Sequence, residues 1–152
     1  MSRNQKIKKQ LIIPDPFFDS ILIQKIANKL MKKGKKTLAH KIINQTIKEI
    51  EKKTQNDPVQ IIEQAIANVA PAIEIKARRI GGAVYSIPIE LDSERGVSVA
   101  IRWILNSCNN KSGKPYEIRL SNELIDASKK IGSAIRKREE THKIAESNAR
   151  LM

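Results

Sequence analysis

The stretch IEIKARRIGGAVYSIPIE, residues 73–90, decides the fold because it interrupts an otherwise helical sequence with the pattern of a strand. In its first half, isoleucine and alanine alternate with glutamate, lysine and arginine, which is the two-residue period of β structure. Gly81 and Gly82 supply the positive φ angles that a tight hairpin turn needs. The return strand contains Pro88, which we expect to weaken the hydrogen-bonded ladder. The sequence therefore predicts a two-stranded β-hairpin over 72–90.

Two arginines stand close to the predicted turn. Arg78 and Arg79 come just before it, where a buried strand would exclude two guanidinium groups. A two-stranded ribbon by itself is only marginally stable in water. The hairpin is either a small sheet packed on the helices or an arm that reaches a polyanion, and its basic tip favours the arm.

Elsewhere, apolar residues recur every three to four positions, which is the spacing of amphipathic helices. Asp57 followed by Pro58 combines an N-cap with a first-turn proline and is a strong start signal. We predict a mainly α fold, a six-helix domain with one protruding two-stranded β-hairpin arm and a basic N-terminal extension. The other expected helix boundaries are N-caps at Asp19 or Ser20, Thr37 and Ser93, a C-terminal stop at Gly34, and a start near Ser133.

The length of 152 residues fits one domain with a single core. Residues 1–13 hold four basic residues and no capping or turn pattern, so we predict a basic extension that a partner orders. Residues 14–152 are predicted to form a single helical domain that carries the arm.

The charge balance indicates the kind of partner. The chain has 29 basic and 16 acidic residues, a formal net charge of +13. Such an excess is typical of proteins that bind nucleic acid or an anionic membrane surface. Residues 1–36 hold ten basic and two acidic residues and residues 111–143 hold nine and five, whereas 37–110 are close to neutral. The surplus therefore lies toward the two ends of the chain.

Several classes of protein are disfavoured by what the sequence lacks. No apolar run approaches the roughly 18 residues of a membrane span, and the first ten residues are not followed by the apolar core of a secretory signal. We therefore expect no membrane partner. Cys108 is the single cysteine, so we expect no internal disulfide and a reducing compartment.

A lysine cluster follows the first predicted helix at Lys32, Lys33, Lys35 and Lys36. Cations at a helix C-terminus are favoured by the helix dipole, so a solvated helix end would explain some of them. Four lysines around one glycine exceed what dipole complementation needs. We therefore predict contact with phosphate.

A second cluster, Arg136-Lys137-Arg138, is predicted to lie in the first turn of the sixth helix. The dipole disfavours cations there, and a conflict between local stability and residue choice often marks a functional site. An RNA phosphate would resolve the conflict by accepting hydrogen bonds from the N–H groups and the side chains. Glu139 and Glu140 are the alternative, since they could neutralise the cluster internally.

The fourth predicted helix carries Arg95 and Arg102, which share a face opposite the apolar stripe. A solvated outer face and contact with RNA explain these two residues equally well. Trp103 is expected to fill the core in preference to stacking on a base.

Catalytic and metal-binding patterns are weak. His40 and His142 lack cysteine or carboxylate partners at ligand spacing, and Cys108 has no nearby histidine that would activate a thiol. The acidic residues between 90 and 94 are expected to solvate a helix start, not to bind Mg²⁺. We therefore predict a protein that is not an enzyme and has no cofactor or metal.

Several blocks of the sequence together resemble a known family. They are PDPFFDS, NKLMKKGKKTLAHKII, NDP, VAPAIEIKARRIGGAVYSIPIE, AIRW and SAIRKREETHKIAESNAR. These blocks closely resemble the universal small-subunit ribosomal protein number seven, in its bacterial and plastid form, from about Pro14 to Arg150. The EETH run and the isoleucine-rich composition are more typical of the plastid form.

The resemblance implies a structural protein that binds the 3′ domain of small-subunit rRNA and nucleates assembly of the subunit head. Its hairpin would lie near the exit-site tRNA and the mRNA path, and its other partners would be neighbouring small-subunit proteins. The protein would be a monomer off the ribosome, in the chloroplast stroma or alternatively in a bacterial cytoplasm. Family members often continue with a basic, aromatic tail, and no contacts of such a tail are carried over here.

The resemblance assigns the two clusters and the arginines of the arm to RNA contact, and Gly81 and Gly82 to a turn close to the ligand. The RNA-facing residues implied in this way are Lys32, Lys33, Lys35, Lys36, Arg78, Arg79, Arg136, Lys137 and Arg138. The further basic residues predicted to contact RNA are Arg3, Lys6, Lys8, Lys9, Lys76, Arg95, Arg102, Lys111 and Lys114.

One alternative belongs to another functional class. Architectural DNA-binding proteins also combine a helical body with a basic β arm. That interpretation predicts a dimer and an apolar wedge at the tip of the arm, for which Ile80 is the only candidate. An RNA-processing enzyme is a weaker alternative, because the sequence offers no catalytic cluster.

Overall fold

The computed structural model describes residues 11–149, with side chains described through residue 148. Within that range the protein has six α-helices and one two-stranded antiparallel sheet, which confirms the predicted fold class. Residues 1–10, the greater part of the predicted extension, lie outside the described range. The elements are α1 (Ile21–Leu30), α2 (Lys36–Thr54), α3 (Pro58–Val69), β1 (Ile73–Ile80), β2 (Ala83–Glu90), α4 (Ser93–Asn110), α5 (Tyr116–Ser128) and α6 (Ser133–Ala149).

Two predicted N-caps are confirmed. The carboxylate of Asp57 accepts a hydrogen bond of 3.0 Å from the backbone N–H of Val59, and Pro58 occupies the first turn of α3. At α1 the cap is Ser20, whose hydroxyl accepts from the N–H of Ile23. These side chains satisfy N–H groups that have no partner inside the helix.

Three boundary predictions are wrong. Helix α1 ends at Leu30 because Met31 turns to an extended conformation, so Gly34 lies in the following loop with φ +75°. Thr37 falls inside α2, since Lys35 takes the cap position without a capping side-chain hydrogen bond. Ser93 is the first residue of α4, and Asp92 precedes it as the cap. The cap-forming residue types located each helix start to within two residues, but they did not identify which residue occupies the cap position.

The core is built around α5, which packs against α2, α3 and α4. Ile50, Ile66, Ile101 and Leu120 bring the four helices together and are almost fully buried. Each such side chain stabilises the fold by about 1.5–3 kcal/mol relative to exposure to water. Trp103 is half-buried and packs against this core, as the sequence predicted.

The hairpin has the predicted turn. Gly81 and Gly82 have φ angles of +56° and +90°, and Ile80 pairs with Ala83 across them. The ladder runs in register to Glu90, so Pro88 does not end it. The pair that flanks a two-residue turn exchanges both backbone hydrogen bonds, and the pairs then alternate, which puts Pro88 at a position whose nitrogen points away from β1. Its missing N–H therefore costs no ladder hydrogen bond.

Only the base of the hairpin packs on the helices. Residues 73–75 and 87–89 are half-buried, and both strands contact α6. The N–H of Leu91 donates to the carbonyl of Ala72 at 3.0 Å and closes the base. Residues 76–86 are exposed on every side. The packed-sheet interpretation thus holds for the base, and the arm interpretation holds for the outer half.

Candidate nucleic-acid interface

The lysine loop, residues 32–36, is exposed between α1 and α2. Lys35 is the N-cap of α2 and Lys36 its first residue, and the first turn of α2 contains no acid. The dipole disfavours cations at this position, so half of the cluster sits where helix stability opposes it. None of the four lysines forms an ion pair or side-chain hydrogen bond with another described residue. Their charge is available to an external anion.

A cleft of about 420 Å³ adjoins this loop. Its lining combines apolar side chains from α1, α2 and α4, including Leu30, Leu38 and Leu105, with the lysines Lys29, Lys32, Lys33 and Lys35. Leu38 is half exposed. The loop therefore joins a cationic rim to an apolar floor, a combination that suits a nucleotide better than an isolated phosphate.

The tip of the arm is the second exposed cationic surface. Lys76, Arg78 and Arg79 are exposed, and residues 76–86 contain no acidic residue. Acids are confined to the base of the arm, at Glu74 and Glu90. The positive charge of the arm is thus concentrated at the end that protrudes from the helices.

The predicted cluster at 136–138 is divided by the structure. It begins at the fourth residue of α6, not in the first turn, and the N–H of Ala134 donates to the carboxylate of Glu123 at 3.0 Å. The acid that stability requires at this helix start therefore comes from α5. The prediction that cations oppose the helix dipole in the first turn of α6 is therefore wrong, because Glu123 already caps that helix start from within the protein.

Each member of that cluster has a different environment. Arg138 is half-buried and donates through Nη1 to the carbonyl of Asn68, in the last turn of α3. The Nζ of Lys137 lies 3.6 Å from Oε2 of Glu140. This ion pair agrees with the alternative that glutamates of α6 neutralise the cluster within the protein. Arg136 is exposed and makes no side-chain contact of this kind with the described residues. Contact of all three residues with RNA stays a prediction, and Arg136 is the one whose side chain is most accessible to a ligand.

Arg95 and Arg102 also lie in different environments, one paired within the protein and the other exposed to solvent. The guanidinium of Arg95 donates through Nη2 and Nε to one carboxylate oxygen of Glu74, at 2.7 and 3.1 Å. This ion pair links α4 to the base of the arm. Arg102 is exposed, and no described residue pairs with it. One arginine of this face therefore acts within the protein, and the other points to solvent.

Lys111 and Lys114 complete the described set. Lys111 donates to the carboxylate of Glu123, whose side chain is fully buried. Burial alone would lower the pKa of Lys111, but the hydrogen bond and negative charge of Glu123 outweigh it and raise the pKa above its ordinary value. Lys114 is exposed in the loop before α5. The four remaining predicted contacts, Arg3, Lys6, Lys8 and Lys9, lie outside the described residues.

The histidine and cysteine positions offer no reactive site. Contrary to the sequence prediction, His40 has a carboxylate partner, since its Nδ1 lies 3.1 Å from the buried Asp15. The prediction missed this contact because the partner is 25 positions away along the chain. Burial, and next the charge of Glu123, raise the pKa of Cys108 to about 12, so the thiol stays protonated at neutral pH.

Over 11–149, no group of three or more His, Cys, Asp and Glu side chains is arranged to hold a metal ion. In the same part of the chain, no helix combines the length and the hydrophobicity needed to cross a bilayer.

The chain was also compared with known proteins. The family model for ribosomal protein S7p/S5e matches residues 2–149. The chain belongs to this family. It is 49% identical over 148 residues to small ribosomal subunit protein uS7c of Tupiella akineta, and 48% identical to the uS7c of Chlorella vulgaris. It is 46% identical to small ribosomal subunit protein uS7 of Acaryochloris marina, and each alignment covers 97% of this chain and 95% of the relative.

Membership of the S7p/S5e family confirms the resemblance seen in the sequence and the prediction that the protein is a structural ribosomal component, not an enzyme. It also bears on the two functional classes that the sequence left open for the protein. The ribosomal interpretation is supported, and the architectural DNA-binding alternative is not.

The sequence did not predict the structural roles of two residues, Arg119 and Glu123, in this S7p/S5e chain. Arg119 donates through Nη1 to the carbonyls of Cys108 and Lys111, which closes the C-terminus of α4, and its guanidinium lies 5.3 Å from the Tyr116 ring centroid. Glu123 binds both Lys111 and the start of α6. A lone arginine and a lone glutamate on an amphipathic helix give no signal of such roles, because the partners come from other elements.

Proposed function

We propose that this chain binds the 3′ domain of small-subunit rRNA, nucleates assembly of the subunit head, and places its hairpin near the exit-site tRNA and the mRNA path. The observation that carries the proposal is a pair of exposed cationic surfaces, the lysine loop and the tip of the arm, whose basic residues have no ion-pair partner among the described residues. Family membership and the names of the relatives support the ribosomal setting.

The lysine loop is the primary anchor in this proposal. Lysines that neutralise RNA phosphates release condensed counterions, so binding weakens as salt rises, with a logarithmic slope of roughly 0.7–0.9 for each phosphate contact. A lysine carries a point charge on a flexible stem, which suits backbone recognition better than the reading of base edges. The loop is therefore expected to recognise the shape and phosphate pattern of a folded RNA junction. Arg136 and Arg102 would extend this contact.

The arm acts as a probe of the nearby RNA path and not as an anchor. Its base is fixed by α6 and by the Arg95–Glu74 ion pair, while its tip extends away from the helices. A short, rooted ribbon can hold three cations at a distance from the domain without contributing to its core. This division of labour predicts that loss of the cations at the tip changes translation more than assembly.

The cellular setting is part of the same proposal. We infer a ribosome of the plastid, in the chloroplast stroma, since several relatives at 45–49% identity carry the plastid form of the name. A bacterial cytoplasm is the alternative, supported by the relative from Acaryochloris marina. The chain would contact neighbouring small-subunit proteins in the head and would be a monomer off the ribosome.

The anchor is tested by measuring the affinity of the full chain for an rRNA fragment of the head domain across a salt series. Affinity should fall steeply as salt rises, because several phosphates are neutralised. A flat response to salt would contradict the proposal. Light scattering on the free protein checks the expected monomer.

The arm is tested with the double variant Arg78→Ala and Arg79→Ala. Small subunits should assemble with this variant, whereas exit-site tRNA binding or mRNA handling should change. Failure of the variant to enter subunits would show that the arm belongs to the primary binding site. Lys52→Ala is a suitable control for a lost surface cation, because Lys52 pairs with Glu49 on α2, away from the loop and the arm.

A further inference from the structure

The ladder register sorts the side chains of the arm onto two faces. Residues directly opposite in an antiparallel pair point to the same side, and successive residues along a strand point to opposite sides. Arg78 is paired with Tyr85, and Arg79 is paired with Val84. Although the two arginines are adjacent in sequence, they therefore project from opposite faces of the ribbon, and one flat ligand cannot engage both.

The face that carries Arg78 also carries an exposed aromatic ring. Tyr85 is 53% exposed, whereas Phe18, Trp103 and Tyr116 pack against the core. In the described part of the chain, the cation–π contact is between Arg119 and Tyr116, and about half of the surface of Tyr85 is open to a ligand. Exposed apolar surface on an unprotected two-stranded ribbon favours self-association, and such surface often marks a binding site.

The charge on this face selects an anion. Lys76 lies two residues before Arg78 and therefore projects from the same side, and no acid lies within 76–86. The Cα atoms of a hydrogen-bonded cross-strand pair are about 5.5 Å apart. A guanidinium and a ring held at that spacing can engage the phosphate and the base of one nucleotide together. An acidic protein segment would satisfy the arginine but would leave the aromatic face unused.

We propose that Lys76, Arg78 and Tyr85 form a stacking platform for an unpaired nucleotide of single-stranded RNA. The base stacks on the ring of Tyr85, and the phosphates pair with Arg78 and Lys76. Arg79 lies on the other face and takes no part in this contact. The inference rests on the proposed function of the arm and adds to it the chemistry and the face of the contact.

The test uses the full-length chain, a single-stranded RNA of twelve mixed nucleotides, and ultraviolet crosslinking followed by trypsin digestion. Trypsin cuts after Arg79 and Arg95, so Tyr85 lies in the peptide of residues 80–95 and is its only aromatic residue. A nucleotide adduct should appear on this peptide in the parent and in Tyr85→Phe, which keeps the ring. It should disappear in Tyr85→Leu.

Affinity measurements on the same RNA separate the two faces. Loss of one stacking contact lowers affinity at least about fivefold, so Tyr85→Leu should bind that much more weakly, whereas Tyr85→Phe should match the parent. Arg78→Ala should weaken binding and lower the salt slope. Arg79→Ala removes the same charge from the opposite face and should weaken binding less than Arg78→Ala. Lys52→Ala, at a cation outside the predicted RNA contacts, is the control that should leave affinity within about twofold. Circular dichroism verifies that each variant is folded.

Three outcomes would overturn the inference. One is Tyr85→Leu binding like the parent, another is Arg79→Ala weakening binding as much as Arg78→Ala, and the third is the absence of a nucleotide adduct on the peptide of residues 80–95 of the parent. In assembled subunits, crosslinks from residue 85 to a neighbouring protein and not to RNA would also exclude it. The proposed function survives each of these results if the rRNA fragment still binds with a steep salt response, and it fails separately if that response is flat.

Discussion

Two groups of basic residues among those that the structure describes differ in what they touch. Arg95, Lys111, Arg119 and Arg138 bind a carboxylate or a helix-end carbonyl of the protein itself. The lysine loop at 32–36 and the cations at the tip of the arm are exposed and have no such partner within the described residues. A basic sequence therefore does not by itself mark a ligand surface, because the fold uses part of the charge.

The largest expected effect is on stability, at Lys111. Lys111→Ala leaves the fully buried Glu123 without its cation. We expect the free energy of unfolding to fall by about 3 kcal/mol, the low end for a broken buried pair, since Lys111 itself is 38% exposed and partly screened. Denaturant unfolding measures the change. Lys114→Ala is the matched control in the same loop, and equal losses in the two variants would contradict the assignment.

The ion pair between Lys111 and Glu123 predicts that the free energy of unfolding depends on pH. The folded-state pKa of Lys111 is raised, so the stability it contributes is fully present below its unfolded pKa and is lost as pH rises through the folded value. Unfolding free energies measured from pH 8 into the alkaline range should therefore fall more in the parent than in Lys111→Ala. Parallel pH profiles in the two proteins would show that Lys111 does not form the pair in solution.

A substitution in the lysine loop should instead lower the affinity for RNA and leave the stability of the fold almost unchanged. Lys33→Ala removes an exposed cation with no described partner, so stability should change by less than about 0.5 kcal/mol. Affinity for the rRNA fragment should fall on the order of fivefold, and the salt slope should fall by roughly 0.7–0.9. Binding measured at several salt concentrations checks both values. A loss of affinity that leaves the slope unchanged would argue against a phosphate contact.

The smallest effect is expected at the base of the arm. Arg95 and Glu74 form an ion pair that is exposed enough to be screened, so their coupling should be only about 0.2–1 kcal/mol in a double-mutant cycle. Because the pair ties the arm to α4, Arg95→Ala should nevertheless change the orientation of the tip relative to the helices. Distances between spin labels at residues 84 and 140 measure that orientation. An unchanged distance distribution would leave α6 as the sole support of the base.

The arm and two of the helix caps were accessible from the sequence because their signals are local. Alternation around Gly81-Gly82 fixes the hairpin, and Asp57 with Pro58 fixes a helix start, since turn and cap chemistry involves residues a few positions apart. The partners of Lys111 and Arg138 were not accessible. They come from elements 12 and 70 positions away, and only the packing of the helices brings them together.

The cluster at 136–138 shows the limit most clearly. The sequence presents three consecutive cations as one site, but helical geometry turns them in different directions. Arg138 points toward the end of α3, Lys137 pairs with Glu140, and Arg136 faces solvent. No property of the three residues taken alone distinguishes these fates.

The central claim, that the fold divides its cations between structure and RNA, is tested most directly by comparing Arg136→Ala with Arg138→Ala. Each variant is measured for unfolding free energy and for the affinity of the folded protein for the rRNA fragment. Arg138→Ala should lose about 1–3 kcal/mol of stability, because the Asn68 carbonyl loses its charged donor, and should bind RNA like the parent. Arg136→Ala should keep its stability and bind more weakly. The reverse pattern, or equal effects of both variants on RNA affinity, would contradict the account.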